Sequence, residues 1–263
     1  MSLGSPLASD VFNLKGRVAL ITGASSGLGA RFAEVAAANG ASVVLTARRE
    51  DKLKEIAARI ENAGGKAISV ACDVTDNASM ARAFDAAEKK FGTVDLFVAN
   101  AGMARLGKVL DMPEDEYRKL MALDMDAVFF NSREAAKRMI AANKPGAIVT
   151  TASIAAFIVE RNIVAYNMAK AAVMQFTKGF ALEVARKNIR VNAIAPGYVV
   201  TDINRDFLLS PKGQEAKGKL PLARYGETDD LDGVFLLLAS NASRWMTGST
   251  IVIDGGHILT VGG

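Results

Sequence analysis

A single cysteine, Cys72, leaves the chain no internal disulfide to form. With no disulfide to maintain, the expected home is a reducing cytoplasm. One cysteine and one histidine, His257, cannot build a metal cluster, so no metal site is expected. The opening residues 1–10 have neither the basic region nor the long apolar core of a secretory signal. No apolar run approaches the length that spans a bilayer, and no membrane partner is expected. The formal net charge is only +4, with Lys and Arg alternating with Asp and Glu. That is a mixed-charge surface rather than a nucleic-acid patch, so no nucleic-acid partner is expected. No Pro/Gly/Ser-rich linker interrupts the chain, which therefore reads as one domain over residues 14–263 behind an extension of residues 1–13. The scarcity of histidine also removes the usual carrier of protons near neutral pH.

What is present is a core. Half of the 263 residues are hydrophobic, too many for a disordered chain. Short apolar β-rich runs alternate with helical patterns. The runs are "RVALIT", "ASVVLTA", "KAISVAC", "VDLFVAN", "GAIVTTAS", "IRVNAIAP" and "STIVIDGG". Between the first four lie "GARFAEVAAANG", "EDKLKEIAARIENAGG" and "NASMARAFDAAEKKFG", each helical in pattern and closed by glycine. Near-continuous apolar strands between helices indicate a parallel sheet covered on both faces. The expected architecture is a doubly wound α/β domain on a mainly parallel, seven-stranded sheet. Residues 198–227 look irregular and follow the sixth strand, where such folds put ligand-covering loops.

The first strand runs into "TGASSGLG", residues 22–29, and the first long helix begins there. Gly23 suits a tight turn, Gly27 close approach of a pyrophosphate, and Gly29 close helix packing. The helix N-terminus favours negative charge. A glycine loop between the first strand and helix points to a Rossmann-like dinucleotide site.

Four more motifs follow in order: "NAG" at 100–102, Ser153, "YNMAK" at 166–170 and "PGYVVT" at 196–201. Together with the glycine loop they resemble the short-chain dehydrogenase/reductase family, over roughly residues 14–256. The resemblance implies hydride transfer between a nicotinamide cofactor and an alcohol/carbonyl pair. It assigns Tyr166 as acid/base, Ser153 as a hydrogen-bonding partner of the substrate oxygen, and Lys170 to both Tyr166 and the nicotinamide ribose. Elementary physics agrees: i and i+4 share a helix face, and a nearby cation favours phenolate. The family's usual asparagine ahead of a "VF" pair is replaced by Asp124, expected to preserve the shape of that position although a carboxylate would alter the charge near Lys170. By the same resemblance the cofactor is met by Gly23, Ser25, Ser26, Gly27, Leu28, Gly29, Asp73, Val74, Asn100, Ala101 and Gly102. Pro196, Gly197, Val199 and Thr201 are expected beside the nicotinamide, and Asn100 is expected mainly to bridge strands.

Cofactor choice is read at the end of the second strand. An NAD-preferring site has a carboxylate there, whereas this chain has Ala47 followed by Arg48 and Arg49. NADP(H) is therefore expected over NAD(H), with Arg48 as the main discriminator. Arg49 is expected to be a helix-start residue paired with Glu50 or Asp51. The apolar Phe207, Leu208 and Leu209 imply a partly apolar small-molecule substrate. A 3-oxoacyl-carrier-protein reductase is an alternative, as is a dinucleotide-binding sensor or scaffold without turnover. For the former, the Arg often found after the "VF" pair is replaced by Phe130, while Lys187 keeps a basic residue further on. The family pairs the helices near residues 117–142 and 165–187, so a homotetramer, or at least a dimer, is expected. Cys72 is expected as a buried hydrophobe, and His257 at a surface or interface.

Overall fold

The structure, a computed structural model, describes residues 7–202 and 204–260. Seven strands form one sheet: β1 (Val18–Thr22), β2 (Ser42–Ala47), β3 (Lys66–Ala71), β4 (Leu96–Ala99), β5 (Gly146–Thr151), β6 (Ile189–Pro196) and β7 (Thr250–Ile253). Their spatial order is β3-β2-β1-β4-β5-β6-β7, and every pairing is parallel. The described helices are α1 (Ala8–Phe12), α2 (Gly27–Ala38), α3 (Glu50–Asn62), α4 (Asn77–Phe91), α5 (Glu114–Met121), α6 (Ala127–Ala141), α7 (Val164–Val184), α8 (Arg205–Leu209), α9 (Pro211–Gly218) and α10 (Asp232–Ala239).

Alternation along the strands divides the core in two, because successive side chains point to opposite faces. Ala19 and Ile21 of β1 join Phe32, Leu53, Ile60 and Phe235, the layer of α2, α3 and α10. Val18 and Leu20 join Phe84, Met139 and Val173, the layer of α4, α6 and α7. The rings of Phe32 and Phe235 stack at 4.6 Å, locking α10 onto α2. Local chemistry sets the helix ends. Asp76 caps α4 by accepting from the Ala78 N–H at 2.9 Å, and Gly92 at φ +97° ends it.

Charge is buried at the amino end of the sheet. Asp95 is 3% exposed and accepts from Arg17 Nε and the Val18 N–H, both at 3.0 Å, with Lys144 Nζ at 2.9 Å. Removing such an acceptor leaves two cations facing an emptied site.

Two segments differ from their sequence expectation. The helix expected near residues 117–142 is α5 and α6 joined by a π-helical turn, Ala122–Asp126, where the Ala127 N–H bonds to the Ala122 carbonyl. Residues 198–227, which look irregular in sequence, fold into α8 and α9 over a small core of Leu208, Leu220 and Tyr225. The Tyr225 hydroxyl donates to the Gly213 carbonyl and holds the two ends of that core together.

Candidate active site

The sheet order changes direction between β1 and β4, and the loops leaving their carboxyl ends part to form a crevice. The glycine loop occupies it. Gly23 and Gly27 have φ of +67° and +53°, a region costly for side-chain-bearing residues. A Cβ on Gly23 would lie 2.9 Å from Ala101 Cα, and one on Gly29 would strike the Gly23 carbonyl and Asn100 Nδ2. Gly27 faces the Thr201 methyl, 3.2 Å from where a Cβ would stand. Ser26 precedes α2 without capping it through its side chain, so the first N–H groups, from Gly27 and Leu28 onward, are open to an anion. A cradle with no room for side chains beside an uncapped helix N-terminus fits a dinucleotide pyrophosphate.

Arg49 corrects its sequence expectation. Its guanidinium donates to Ser25 Oγ at 2.8 and 3.2 Å and to Ser26 Oγ at 2.7 Å, while Glu50 pairs with Lys54 instead. The register of β1 and β2 causes this: Thr22 pairs with Thr46, so the loops leaving both strands meet. Arg48 is exposed. Asp73 accepts from the Thr75 N–H and hydroxyl, which hold its carboxyl below the usual range, with Arg48 adding to the effect. Val74 is buried behind it, its carbonyl accepting from Asn131 Nδ2 at 3.0 Å.

Asn100 ties three strand ends together. Its Nδ2 donates to the Thr22 carbonyl at 3.0 Å, and its Oδ1 accepts from the Thr151 hydroxyl. The Thr22 hydroxyl accepts in turn from the Asn100 and Ala101 N–H groups.

Lys170 is one helical turn beyond Tyr166 on α7, and its Nζ lies 5.5 Å from the Tyr166 ring centre. That Nζ donates to the Thr151 carbonyl at 3.1 Å, at the end of β5 and two residues before Ser153. Ser153 accepts the Ala155 N–H at 3.1 Å, so its own hydrogen is available to another acceptor. Asn167 fastens this loop to α7 by donating to the Ala155 and Ile158 carbonyls at 2.7 and 2.9 Å. Its place inside "YNMAK" is the available signal; its partners are 9 and 12 residues away and are not legible in sequence.

Asp124 does more than conserve shape. Its side chain is 0% exposed, and its Oδ1 lies 3.1 Å from Lys170 Nζ. The carboxylate also accepts from the Met103 N–H at 3.0 Å. Gly102 makes room for the pair, since a Cβ there would come within 2.6 Å of Asp124 Oδ1. Burial pushes the Asp124 carboxyl upward against the pull of Lys170 and Met103. Burial also opposes charge on Lys170, but Asp124 and Tyr166 outweigh it and hold its pKa above the ordinary lysine value.

The far wall comes from the ends of β5, β6 and β7. Pro196 ends β6, Gly197 packs against Asp254, and the Val199 carbonyl accepts from Asn204 Nδ2 at 2.8 Å. Thr201 donates its N–H to Asn204 Oδ1 at 2.9 Å. Tyr198 donates its hydroxyl to Glu160 Oε2 at 2.9 Å, and its ring stacks on His257 at 5.4 Å. His257 is half-buried beside this wall, and its Nδ1 is buried without a partner among the described residues. Burial and the Glu160 carboxylate push the Tyr198 hydroxyl well above the usual tyrosine range. Leu208 is fully buried inside the 198–227 core and does not face a ligand, whereas Phe207 and Leu209 are exposed. Cys72 is buried, 3.2 Å from the Met80 sulfur, and burial raises its thiol pKa.

The family model described as enoyl-(acyl carrier protein) reductase matches residues 23–257. The chain is 38% identical to the sorbose reductase of Candida albicans, covering 94% of this chain and 89% of the relative. It is 35% identical to the NADP-dependent (R)-specific alcohol dehydrogenase of Lentilactobacillus kefiri, over 93% of this chain and 97% of that one. The structure of a gluconate 5-dehydrogenase from Burkholderia cenocepacia, in complex with NADP and tartrate, superposes with a TM-score of 0.92 at 34% identity. That likeness covers 97% of this chain and all of that one. Among the described residues no helix is long and apolar enough to cross a membrane. Sequence, sheet order and crevice converge: the chain belongs to the short-chain dehydrogenase/reductase family and is an NAD(P)-dependent oxidoreductase.

Proposed function

We propose that the protein interconverts a secondary alcohol and its carbonyl, with NADP(H) as the preferred cofactor and Tyr166 as the acid/base. The observation that carries this reading is the tie from Lys170 Nζ to the Thr151 carbonyl. It brings the "YNMAK" helix face against the end of β5, beside Ser153 and next to the glycine cradle. The nicotinamide, when bound, supplies the hydride acceptor or donor. Ser153 donates a hydrogen bond to the substrate oxygen, and Tyr166 takes the hydroxyl proton in oxidation or returns it in reduction. Lys170 favours phenolate at Tyr166 by charge. Tyr198 has its proton committed to Glu160 and is a poor base.

NADP preference is supported by Ala47 standing where an NAD-preferring site has a carboxylate and by Arg49 over the loop serines. A guanidinium and two hydroxyls converging beside the ribose position make a phosphate site, with Arg48 at its rim. The NADP-dependent alcohol dehydrogenase of Lentilactobacillus kefiri and the NADP-bound gluconate 5-dehydrogenase agree with it. The assembly is a homotetramer on this reading. Phe129, Val164, Met168 and Leu182 leave apolar surface on α6 and α7, the kind of face a closed assembly buries. The test of the chemistry is Tyr166→Phe. Turnover falls by about two orders of magnitude or more while cofactor fluorescence titration is retained. Near-wild-type turnover by this variant removes Tyr166 from the mechanism.

A further inference from the structure

Glu160, Tyr198 and His257 come from the carboxyl ends of β5, β6 and β7, three neighbouring strands. Glu160 stands in the short loop that leaves Ser153 and returns to Tyr166. Tyr198 opens the segment that runs on to Thr201 against Gly27 of the cradle. The three therefore occupy the same end of the sheet as Ser153 and Tyr166, on the β5–β7 side, away from Arg49 and the ribose end. In an open α/β sheet ligands bind outside the carboxyl ends of the strands, and Ser153 and Tyr166 lie on this side.

The chemistry of the Glu160–Tyr198 pair is lopsided. An ionised carboxylate only accepts hydrogen bonds. Tyr198 spends its one hydrogen on Glu160 Oε2, and its raised pKa keeps that hydrogen in place. His257 stacks on the Tyr198 ring and fixes its plane. Glu160 Oε1 and the lone pairs of the Tyr198 oxygen then remain as acceptors, oriented by the stack and by the bond between the two residues. A ligand matching them presents hydroxyl donors and no negative charge. The apolar case is weaker than the sequence implies, because Leu208 is turned into the core of its own segment.

We propose that Glu160 and Tyr198 bind the hydroxyl groups of a neutral polyhydroxylated substrate, a sugar alcohol or ketose, and exclude the corresponding sugar acids. This rests on the hydride-transfer reading given above and extends it to a substrate class. A sugar acid places a carboxylate where Glu160 already stands, and like charges at that range repel. A simple alcohol leaves the acceptors without donors, and such a site discriminates strongly against a ligand lacking the hydroxyl.

The experiment compares xylitol, xylonate and 2-butanol, each with NADP, on wild type, Glu160→Gln and Glu160→Ala. Wild type is expected to use xylitol over xylonate by at least about tenfold in kcat/KM. Glu160→Gln keeps an acceptor for Tyr198 but loses the charge, so the xylitol preference over xylonate falls by about tenfold. Glu160→Ala lowers the ratio of xylitol to 2-butanol activity by about ten- to a hundredfold, through KM for xylitol more than through kcat. Melting temperature and cofactor fluorescence titration for each variant show that the fold and the cradle are intact. If either variant is unfolded, the wild-type order of the three substrates decides alone. Equal or better use of xylonate, preference for 2-butanol over xylitol, or unchanged ratios in both folded variants overturns the proposal. Turnover of 2-butanol alone overturns the polyol assignment and leaves hydride transfer standing, whereas no NADP reduction with any of the three counts against the hydride-transfer reading itself.

Discussion

Asp124→Asn removes one charge from the buried pair and leaves its shape. The amide oxygen can stand where Oδ1 stands, 3.1 Å from Lys170 Nζ and 3.3 Å from the Met103 N–H, while the amide nitrogen replaces Oδ2 and gives up the 3.0 Å bond from Met103. Lys170 Nζ is 5.5 Å from the Tyr166 ring centre. At an effective dielectric of about 20, the ammonium attracts a phenolate there by about 3 kcal/mol. The Asp124 oxygen, 3.1 Å from that Nζ, is at most about 8.6 Å from the ring centre and opposes the attraction by at least about 2 kcal/mol. Asp124 therefore cancels much of what Lys170 does for Tyr166. The charged groups facing Lys170 are this carboxylate and Tyr166 itself. Removing the carboxylate favours phenolate, so the acid limb of kcat/KM for alcohol oxidation is expected to move to lower pH. The assay is the pH profile of NADP reduction with one secondary alcohol, wild type against Asp124→Asn. An acid limb that stays in place, or that moves to higher pH, refutes the reasoning.

Arg49→Ala should lower kcat/KM with NADP by about tenfold or more and leave NAD nearly unaffected, while Arg48→Ala has the smaller effect; parallel kinetics with both cofactors decide, and equal losses for NADP and NAD count against the phosphate site. Light scattering should give the mass of four chains, and Phe129→Glu with Met168→Glu should shift it downward; a monomer mass for the wild type across a wide concentration range ends the assembly reading. Asp95→Ala should cost about 3–5 kcal/mol in urea unfolding, because Arg17 and Lys144 lose their buried acceptor. Its folded fraction should keep near-wild-type kcat, as Asp95 lies at the opposite end of the sheet from Ser153, and a large fall in kcat would contradict that separation.

Much of the architecture is local and therefore written in the order of residues. A parallel strand buried on both faces needs a near-continuous apolar run, so "VALIT" announces itself. A backbone turn with positive φ needs glycine, so Gly23 and Gly27 mark the cradle before any fold is known. Helical periodicity alone puts Lys170 one turn from Tyr166. Other features depend on which side chains meet across long separations. Arg49 reaches Ser25 and Ser26 only because the strand register brings two loops together, and sequence neighbours pointed to Glu50 and Asp51 instead. Asp124 meets Lys170 through a π-helical turn, which shifts the phase of one helix and leaves no trace in its hydrophobic pattern. Leu208 is indistinguishable from its exposed neighbours Phe207 and Leu209 until α8 folds over Leu220 and Tyr225. Glu160, Tyr198 and His257 stand 38 and 59 residues apart in turn and become neighbours only at the ends of adjacent strands. Sequence alone determined the alternation of strand and helix and the glycine cradle, because each depends on a few consecutive residues and the solvent around them. Tertiary structure decided the charge beside Lys170, the partner of Arg49 and the polar wall, because each arises from contacts that only the folded sheet brings within reach.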